Sequence, residues 1–175
     1  MNITDFIKLA DQPPSLRFLV IGGYAVGVHG YHRSTYDIDF LVLKGDRDAW
    51  IARLKEAGLQ KVSDTTAFAQ FSQKDAEGFD LMFVSGDTFE QMWAASFEKE
   101  FDDATARLPH LDHLLALKLH ALKQKVAHRT GKDVTDVEQL IRLNRLDISQ
   151  PLYENLFLKY GTAEIYETFL RILRY

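Results

Sequence analysis

The chain has 175 residues, of which 46% are hydrophobic and 26% charged, a composition typical of one globular domain with a sizeable core. Its formal net charge of −4 at pH 7 excludes a broad basic field for nucleic acid, although a local basic patch stays compatible with that total. The absence of cysteine excludes disulfides, thiolate zinc sites and cysteine catalysis. No apolar run approaches the roughly 18 residues of a membrane span and no signal-peptide pattern is found, so we expect a soluble, cytoplasmic protein.

The first part of the chain alternates between helical and strand patterns. A short helix capped by Thr4 should end before Pro13, and a helix weakened by glycines should follow the first strand. In chain order the predicted elements are helix Thr4–Ala10, strand Arg17–Ile21, helix Gly23–Tyr31, strand Asp37–Leu43, helix Asp46–Gly58, strands Thr66–Ser72 and Gly78–Val84 joined by a polar turn, and helix Asp87–Glu100.

From about His110 onward the patterns are all helical. The predicted helices are His110–Ala127, Lys132–Asn144, Gln150–Tyr160 and Ala163–Leu173. We therefore expect an α/β part over residues 1–108 and a helical part over residues 109–175, which pack as one structural unit.

Asp37 and Asp39 lie two residues apart in a strand, so they project from the same face with Cα atoms about 6.5 Å apart. The apolar run Phe40–Leu43 indicates that this strand is buried, where an unpaired carboxylate costs several kcal/mol. Carboxylate oxygens suit Mg²⁺ or Mn²⁺ better than zinc. A metal site is therefore favoured over a solvated pair of acids at a strand edge.

Asp80 is a further acid near the start of an apolar strand, Gly78–Val84. If that strand lies beside Asp37–Leu43, the three carboxylates can meet at one edge of the sheet. A strand-terminal acid without a function is the alternative.

Gly22 and Gly23 follow a strand and precede a helix-like segment. Glycines at such a point let backbone N–H groups approach a phosphate, although tight turns also use glycine pairs. The segment matches neither a Walker A loop nor G-x-G-x-x-G. The phosphate-binding interpretation is favoured because the glycine pair lies one short helix before the acid pair.

Lys118 shares a helix face with Leu111, Leu115 and Leu122 by spacing. It can extend along the apolar stripe to solvent, or it can point inward toward a phosphate. Asp133 and Asp136 have the spacing of residues at a helix start, where they would serve as a capping box. The basic stretch of the chain consists of Lys123, Lys125, His128, Arg129 and Lys132.

The order of these motifs resembles the DNA polymerase β-like nucleotidyltransferase superfamily: Gly-Gly after a strand, a helix, an Asp-x-Asp strand and a later acid. Within it, GGYAVGVHGYHRSTYDIDFLV is similar to AbiEii-type toxins and related bacterial nucleotidyltransferases, in which Gly-Gly precedes H-R-x-[ST]-x-D-h-D. The segment KLHALKQKVAHRTGKDVTD is similar to the lysine, arginine and Asp-x-x-Asp segment of that group, at Lys118, Arg129, Lys132, Asp133 and Asp136.

The resemblance implies a small mixed sheet flanked by helices, with a helical C-terminal part. It also implies a Mg²⁺-dependent enzyme that transfers a nucleoside monophosphate from an NTP and releases pyrophosphate. It assigns catalysis and metal binding to Asp37, Asp39 and Asp80, and nucleotide binding to Gly22, Gly23, Arg33, Thr35, Lys118, Lys132, Asp133 and Asp136.

The implied acceptor is a hydroxyl of a tRNA or a protein, and the implied context is a toxin with an antitoxin partner. The alternative is a non-catalytic module that keeps the fold as a nucleotide-binding or protein-interaction scaffold. Gly23, where many superfamily members have serine, and the short chain favour that alternative.

Overall fold

The computed structural model describes residues 1–73, 78–124 and 127–173, without the side chains of residues 127–130. The helices are α1 Ile3–Asp11, α2 Gly22–Val28, α3 Arg47–Glu56, α4 Gly86–Ala94, α5 Leu111–Lys123, α6 Ala127–Leu143, α7 Pro151–Tyr160 and α8 Ala163–Leu173, and a 3-10 turn spans Lys44–Asp46. The strands are β1 Phe18–Val20, β2 Asp37–Leu43, β3 Gln60–Asp64, β4 Phe68–Ser72, β5 Gly78–Val84, β6 Phe97–Phe101 and β7 Ala104–Leu108.

A five-stranded mixed sheet has the order β1-β2-β5-β4-β3. Strands β2 and β5 run parallel at its centre, while the other pairings are antiparallel. A separate hairpin consists of β6 and β7. The mixed sheet flanked by helices confirms the predicted α/β class, and β2 has the predicted bounds.

The chain divides into two compact units: Met1–Ala25 with Arg33–His110, and Val26–His32 with the residues from Leu111 onward. The end of α2 thus groups with the helical residues, which no pattern in the sequence indicated. In the described part of both units, no helix has the length and apolarity needed to cross a membrane.

Aromatic rings cover one face of the central strands. Phe40 of β2 stacks on Phe18 at 4.2 Å and meets Trp50 of α3 edge-on at 6.0 Å. Phe79 of β5 stacks on Phe6 of α1 at 4.0 Å. Because strand residues alternate between faces, α1 and α3 pack on one side and leave the odd-numbered positions of β2 on the other.

The predicted cap of α1 was wrong. Asn2 caps the helix, because its side chain accepts a hydrogen bond from the Asp5 backbone N–H at 3.0 Å and Asp5 accepts one from the Asn2 N–H at 2.9 Å. Thr4 lies within the helix, is buried, and donates its hydroxyl to the Phe101 carbonyl at 3.3 Å. The capping box Asn2–Asp5 lies two residues earlier than the predicted start.

The predicted helix Asp87–Glu100 extends too far, because α4 ends at Ala94 and Phe97–Phe101 is a strand. Glu98, Lys99 and Glu100 favour a helix locally, but pairing with β7 forms a hairpin instead. Strand β3 was missed because all of its residues are exposed and lack an apolar alternation. The predicted turn between the strands Thr66–Ser72 and Gly78–Val84 lies mostly outside the described residues.

Arg17 connects the start of β1 to α4 through Glu90, with Nη1 donating to Oε2 at 3.1 Å. The hydrogen bond from Arg17 lowers the pKa of the exposed Glu90 carboxyl. Because the folded pKa lies below the unfolded one, this stabilisation is present above the unfolded pKa and is lost as pH falls through the folded pKa.

We expect Glu90→Gln to lower the melting temperature at neutral pH, and the difference from wild type to shrink as pH falls below the unfolded carboxyl pKa of 4.5. Thermal unfolding followed by circular dichroism measures this. Glu56→Gln, at an exposed position of α3, is the control. A difference that stays constant with pH would contradict the assignment.

Candidate functional site

The parallel pairing of β2 and β5 places Asp39 directly beside Asp80. Paired residues of neighbouring strands point to the same face, and neighbouring strands lie about 4.8 Å apart. Asp37 is two residues earlier on the same face of β2, opposite Gly78. Asp39 and Asp80 are half-buried, while Asp37 is exposed.

Two glycines make room for these carboxylates. A Cβ atom on Gly22 would stand 1.9 Å from Asp39 Oδ2, and one on Gly78 would stand 2.4 Å from Asp37 Oδ1. Gly22 also has φ +61°, a conformation that other residues rarely adopt. The carboxylates therefore lie directly against glycine backbone.

The third glycine of the cluster, Gly23, lies under Thr35 and Arg33. A Cβ on Gly23 would stand 2.5 Å from Thr35 Oγ1 and 3.3 Å from Arg33 Nη1. Thr35 Oγ1 donates to the Asp37 carbonyl at 3.1 Å, and Arg33 Nη1 donates to the Ser34 carbonyl at 3.1 Å. Seven of the residues predicted for the site thus belong to one cluster: Gly22, Gly23, Arg33, Thr35, Asp37, Asp39 and Asp80.

Two members of the cluster were missed by the sequence analysis. Gln70 of β4 pairs with Asp80 and donates its amide N–H to Asp80 Oδ2 at 3.0 Å. Gly78 is the residue against which Asp37 lies. Both residues reach the cluster because of the strand register, which a single sequence does not reveal. The one local signal was the polar Gln70 within the apolar pattern of β4.

Lys118, Asp133 and Asp136 form a second cluster, within the helical unit. Lys118 Nζ lies 2.7 Å from Asp133 Oδ1 and 2.8 Å from Asp136 Oδ2. The three side chains are 12%, 8% and 0% exposed, so the ammonium does not extend to solvent. Helix α6 begins at Ala127, which places both aspartates inside the helix and not at a capping position.

The predicted basic stretch is described only in part. Lys123 and Lys132 are exposed. Lys125 and the side chains of His128 and Arg129 lie outside the described residues. The nucleotide-binding roles of Lys118, Lys132, Asp133 and Asp136 stay predictions.

The metal prediction depends on oxygen donors. Within the described residues, no group of three or more His, Asp or Glu side chains is arranged to hold a metal ion. Asp39 and Asp80 nevertheless offer carboxylates from adjacent strands. Mg²⁺ commonly takes one or two carboxylates and completes its shell with water and substrate phosphates, so the donor set fits that ion.

A family model described as nucleotidyl transferase AbiEii toxin, type IV toxin–antitoxin system, matches residues 6–173. The chain belongs to the AbiEii family. This confirms the resemblance read from the Gly-Gly and Asp-x-Asp motifs. No curated protein matches the chain.

Solved structures share the fold of this AbiEii family member at low identity. The antibiotic-resistance factor ANT(2")-Ia, solved with adenylyl-2"-tobramycin, is 13% identical with a TM-score of 0.61, over 96% of this chain and 95% of its own. An antigenic nucleotidyltransferase-like protein from Paracoccidioides brasiliensis is 15% identical with a TM-score of 0.56, over 98% and 84% of the chains. The lincomycin-bound lincosamide antibiotic adenylyltransferase LnuA is 14% identical with a TM-score of 0.56, over 78% and 94%.

We expect Lys118→Met to lower the free energy of unfolding by about 3–5 kcal/mol, because it removes the ammonium that contacts two buried carboxylates. Urea denaturation measures the change. Lys123→Met, at an exposed position of the same helix, is the control and should change the stability by less than about 0.5 kcal/mol.

Adding Asp133→Asn and Asp136→Asn to Lys118→Met neutralises the two carboxylates that contacted the ammonium and should recover part of the loss. A Lys118→Met protein as stable as the Lys123→Met control would show that the ammonium is not buried between the two carboxylates.

Proposed function

We propose that this chain transfers a nucleoside monophosphate from an NTP to an acceptor hydroxyl, with Mg²⁺ or Mn²⁺ as cofactor. The observation that carries the proposal is the pairing of Asp39 with Asp80 on adjacent parallel strands, with Asp39 against the glycine at the start of α2. Membership of a nucleotidyl transferase family supports the class of reaction.

In the proposed reaction, the acceptor oxygen forms a bond to the α-phosphorus of the NTP. The bond between that phosphorus and the bridging oxygen of pyrophosphate breaks, and pyrophosphate leaves with this oxygen. The proton of the acceptor hydroxyl passes to a carboxylate, for which Asp80 is our candidate. Gln70 would hold Asp80 in place, because its amide already donates to one carboxylate oxygen.

Asp39 and Asp80, on adjacent strands, would hold the metal ion, which would stabilise the charge on the phosphates. Asp37, two residues earlier on the same face of β2, is the third carboxylate that the sequence analysis assigned to the metal. The backbone of Gly22 and Gly23 would receive the triphosphate, because glycine permits close approach to main-chain N–H groups.

The family description names a toxin of a type IV toxin–antitoxin system. We therefore infer a toxin role, with an antitoxin as partner. The acceptor we favour is a tRNA or a protein. The net charge of −4 predicts weak binding of RNA without the help of a local basic surface, since phosphate contacts dominate such affinity.

The transfer is tested by incubating the protein with each of the four α-labelled NTPs, Mg²⁺, and either tRNA or a cell protein extract. We expect label on one class of acceptor with wild type, and a loss of about 100-fold or more with Asp39→Asn, because several kcal/mol of charge stabilisation are removed. Asp48→Asn, at an exposed position of α3, should transfer like wild type. Equal transfer by Asp39→Asn would exclude the proposed centre.

We expect Mg²⁺ to raise the melting temperature of wild type, because an ion that binds only the folded state stabilises it. Asp39→Asn should lose this rise, and Asp48→Asn should keep it. Differential scanning fluorimetry over a Mg²⁺ series measures the effect. A wild type that binds NTP, does not respond to Mg²⁺ and labels no acceptor would favour the scaffold alternative.

A further inference from the structure

The carboxylates have glycine backbone on one side and further sheet on the other. Gly22, which follows β1, lies against Asp39. Asp80 lies on the opposite side of Asp39, because β5 is the other neighbour of β2. Gln70 of β4 lies beyond Asp80. Across the sheet the order is therefore the glycine loop, Asp39, Asp80 and Gln70.

This order sets the side from which an acceptor can approach. In phosphoryl transfer the attacking and the leaving oxygens lie roughly in line, on opposite sides of the phosphorus. The proposed function puts the pyrophosphate part of the NTP on the glycine loop. The acceptor oxygen then has to arrive from the side of Asp80 and β4.

The sheet surface on that side is open to solvent. Phe68 of β4 pairs with Met82 of β5, two residues along the strands from the pair Gln70–Asp80, so these side chains share one face. Phe68 is 43% exposed although it is a large apolar residue in a strand. We define the acceptor face as the residues of β3, β4 and β5 on this side of the sheet, next to Asp80: Ser63, Phe68, Gln70, Ser72 and Met82.

The acceptor face, whose residues are all described, contains no lysine or arginine. The nearby Lys61 of β3 pairs with Phe71, whose side chain lies on the opposite face of the sheet. Lys61 and Arg47 both contact Asp64. Surfaces that bind single-stranded nucleic acid combine aromatic side chains with a positively charged groove for the phosphates. An apolar and uncharged surface beside carboxylates suits a protein segment better than a polyanion.

We propose that the acceptor face binds the acceptor, and that this acceptor is a protein segment. Its serine, threonine or tyrosine hydroxyl reaches Asp80, while a neighbouring apolar side chain packs on Phe68 and Met82. The inference rests on the proposed function and names the class of acceptor. The hydroxyl oxygen bonds to the α-phosphorus, its proton passes to Asp80, and pyrophosphate leaves. The product is a protein that carries the nucleoside monophosphate as a phosphodiester.

The spacing on the acceptor face also predicts a pattern in the acceptor. An extended segment advances about 3.3 Å per residue, and its side chains alternate between two faces. The Phe68–Met82 pair lies two residues from the Gln70–Asp80 pair. In a segment that lies along these strands, the modified residue and an apolar residue should therefore be two positions apart, which mass spectrometry of the modified peptides measures.

The class of acceptor is tested by transfer from α-labelled NTPs with Mg²⁺ to a cell protein extract and, separately, to tRNA. Wild type should label protein. Phe68→Ser should lower this labelling about tenfold or more, because it removes apolar contact area. Phe68→Leu keeps an apolar side chain without a ring and should stay within about threefold of wild type. Phe97→Ser is the control, because Phe97 is a strand phenylalanine of similar exposure (36%) outside the acceptor face, and it should label like wild type.

Binding of NTP with Mg²⁺, measured by isothermal titration calorimetry, separates the acceptor from the nucleotide. Phe68→Ser should bind NTP as wild type does, since the glycine loop lies on the other side of Asp39. Met82→Gln, which keeps the length of the side chain and removes its apolar end, should lower protein labelling and leave NTP binding unchanged.

Label on tRNA alone, or protein labelling by Phe68→Ser equal to that of wild type, would overturn the inference and leave the proposed function intact. A loss of NTP binding in both Phe68→Ser and Met82→Gln would place these residues on the nucleotide side and would also overturn it. A wild type that labels neither protein nor tRNA would overturn the proposed function together with the inference.

Discussion

The parallel register between β2 and β5 is the constraint on which the site depends. It pairs Asp39 with Asp80, and it simultaneously pairs Ile38 with Phe79 on the opposite face. A slip of one residue would send the carboxylates into the aromatic layer of α1 and α3. The stacked pairs Phe18–Phe40 and Phe6–Phe79 therefore fix the position of the acids, although they do not touch them.

Glycine backbone is the second constraint on the site. Asp39 lies against Gly22 and Asp37 lies against Gly78, so each carboxylate occupies the space that a side chain would otherwise fill. Such close packing holds like charges near one another, which is unfavourable unless donors or a cation compensate. Gln70 provides one donor to Asp80. In the proposed function, the carboxylates would hold a divalent cation and the backbone of Gly22 and Gly23 would receive the phosphates.

The sequence analysis predicted those elements that a local pattern of apolar and polar residues encodes. β2 is an apolar run that begins with acids, and its bounds Asp37–Leu43 agree with the structure. The sequence could not predict the features that depend on which strands pair. For example, β6 contains helix-favouring Glu98 and Glu100 but pairs with β7. Gln70 and Gly78 became members of the site only through the register of β4 and β5.

Lys118 shows the same limit for a charged residue in an apolar stripe. Its spacing with Leu111, Leu115 and Leu122 is compatible with a lysine side chain that extends to solvent and equally with one that points inward. In the structure the side chain points inward, because α6 brings Asp133 and Asp136 to the ammonium. An ammonium has three N–H donors, and with two carboxylates at hydrogen-bond distance one donor remains for a phosphate. A contact between Lys118 and a triphosphate would be additional to the ion pairs with Asp133 and Asp136, which the protein already forms without nucleotide. The first role of this lysine is to join α5 to α6.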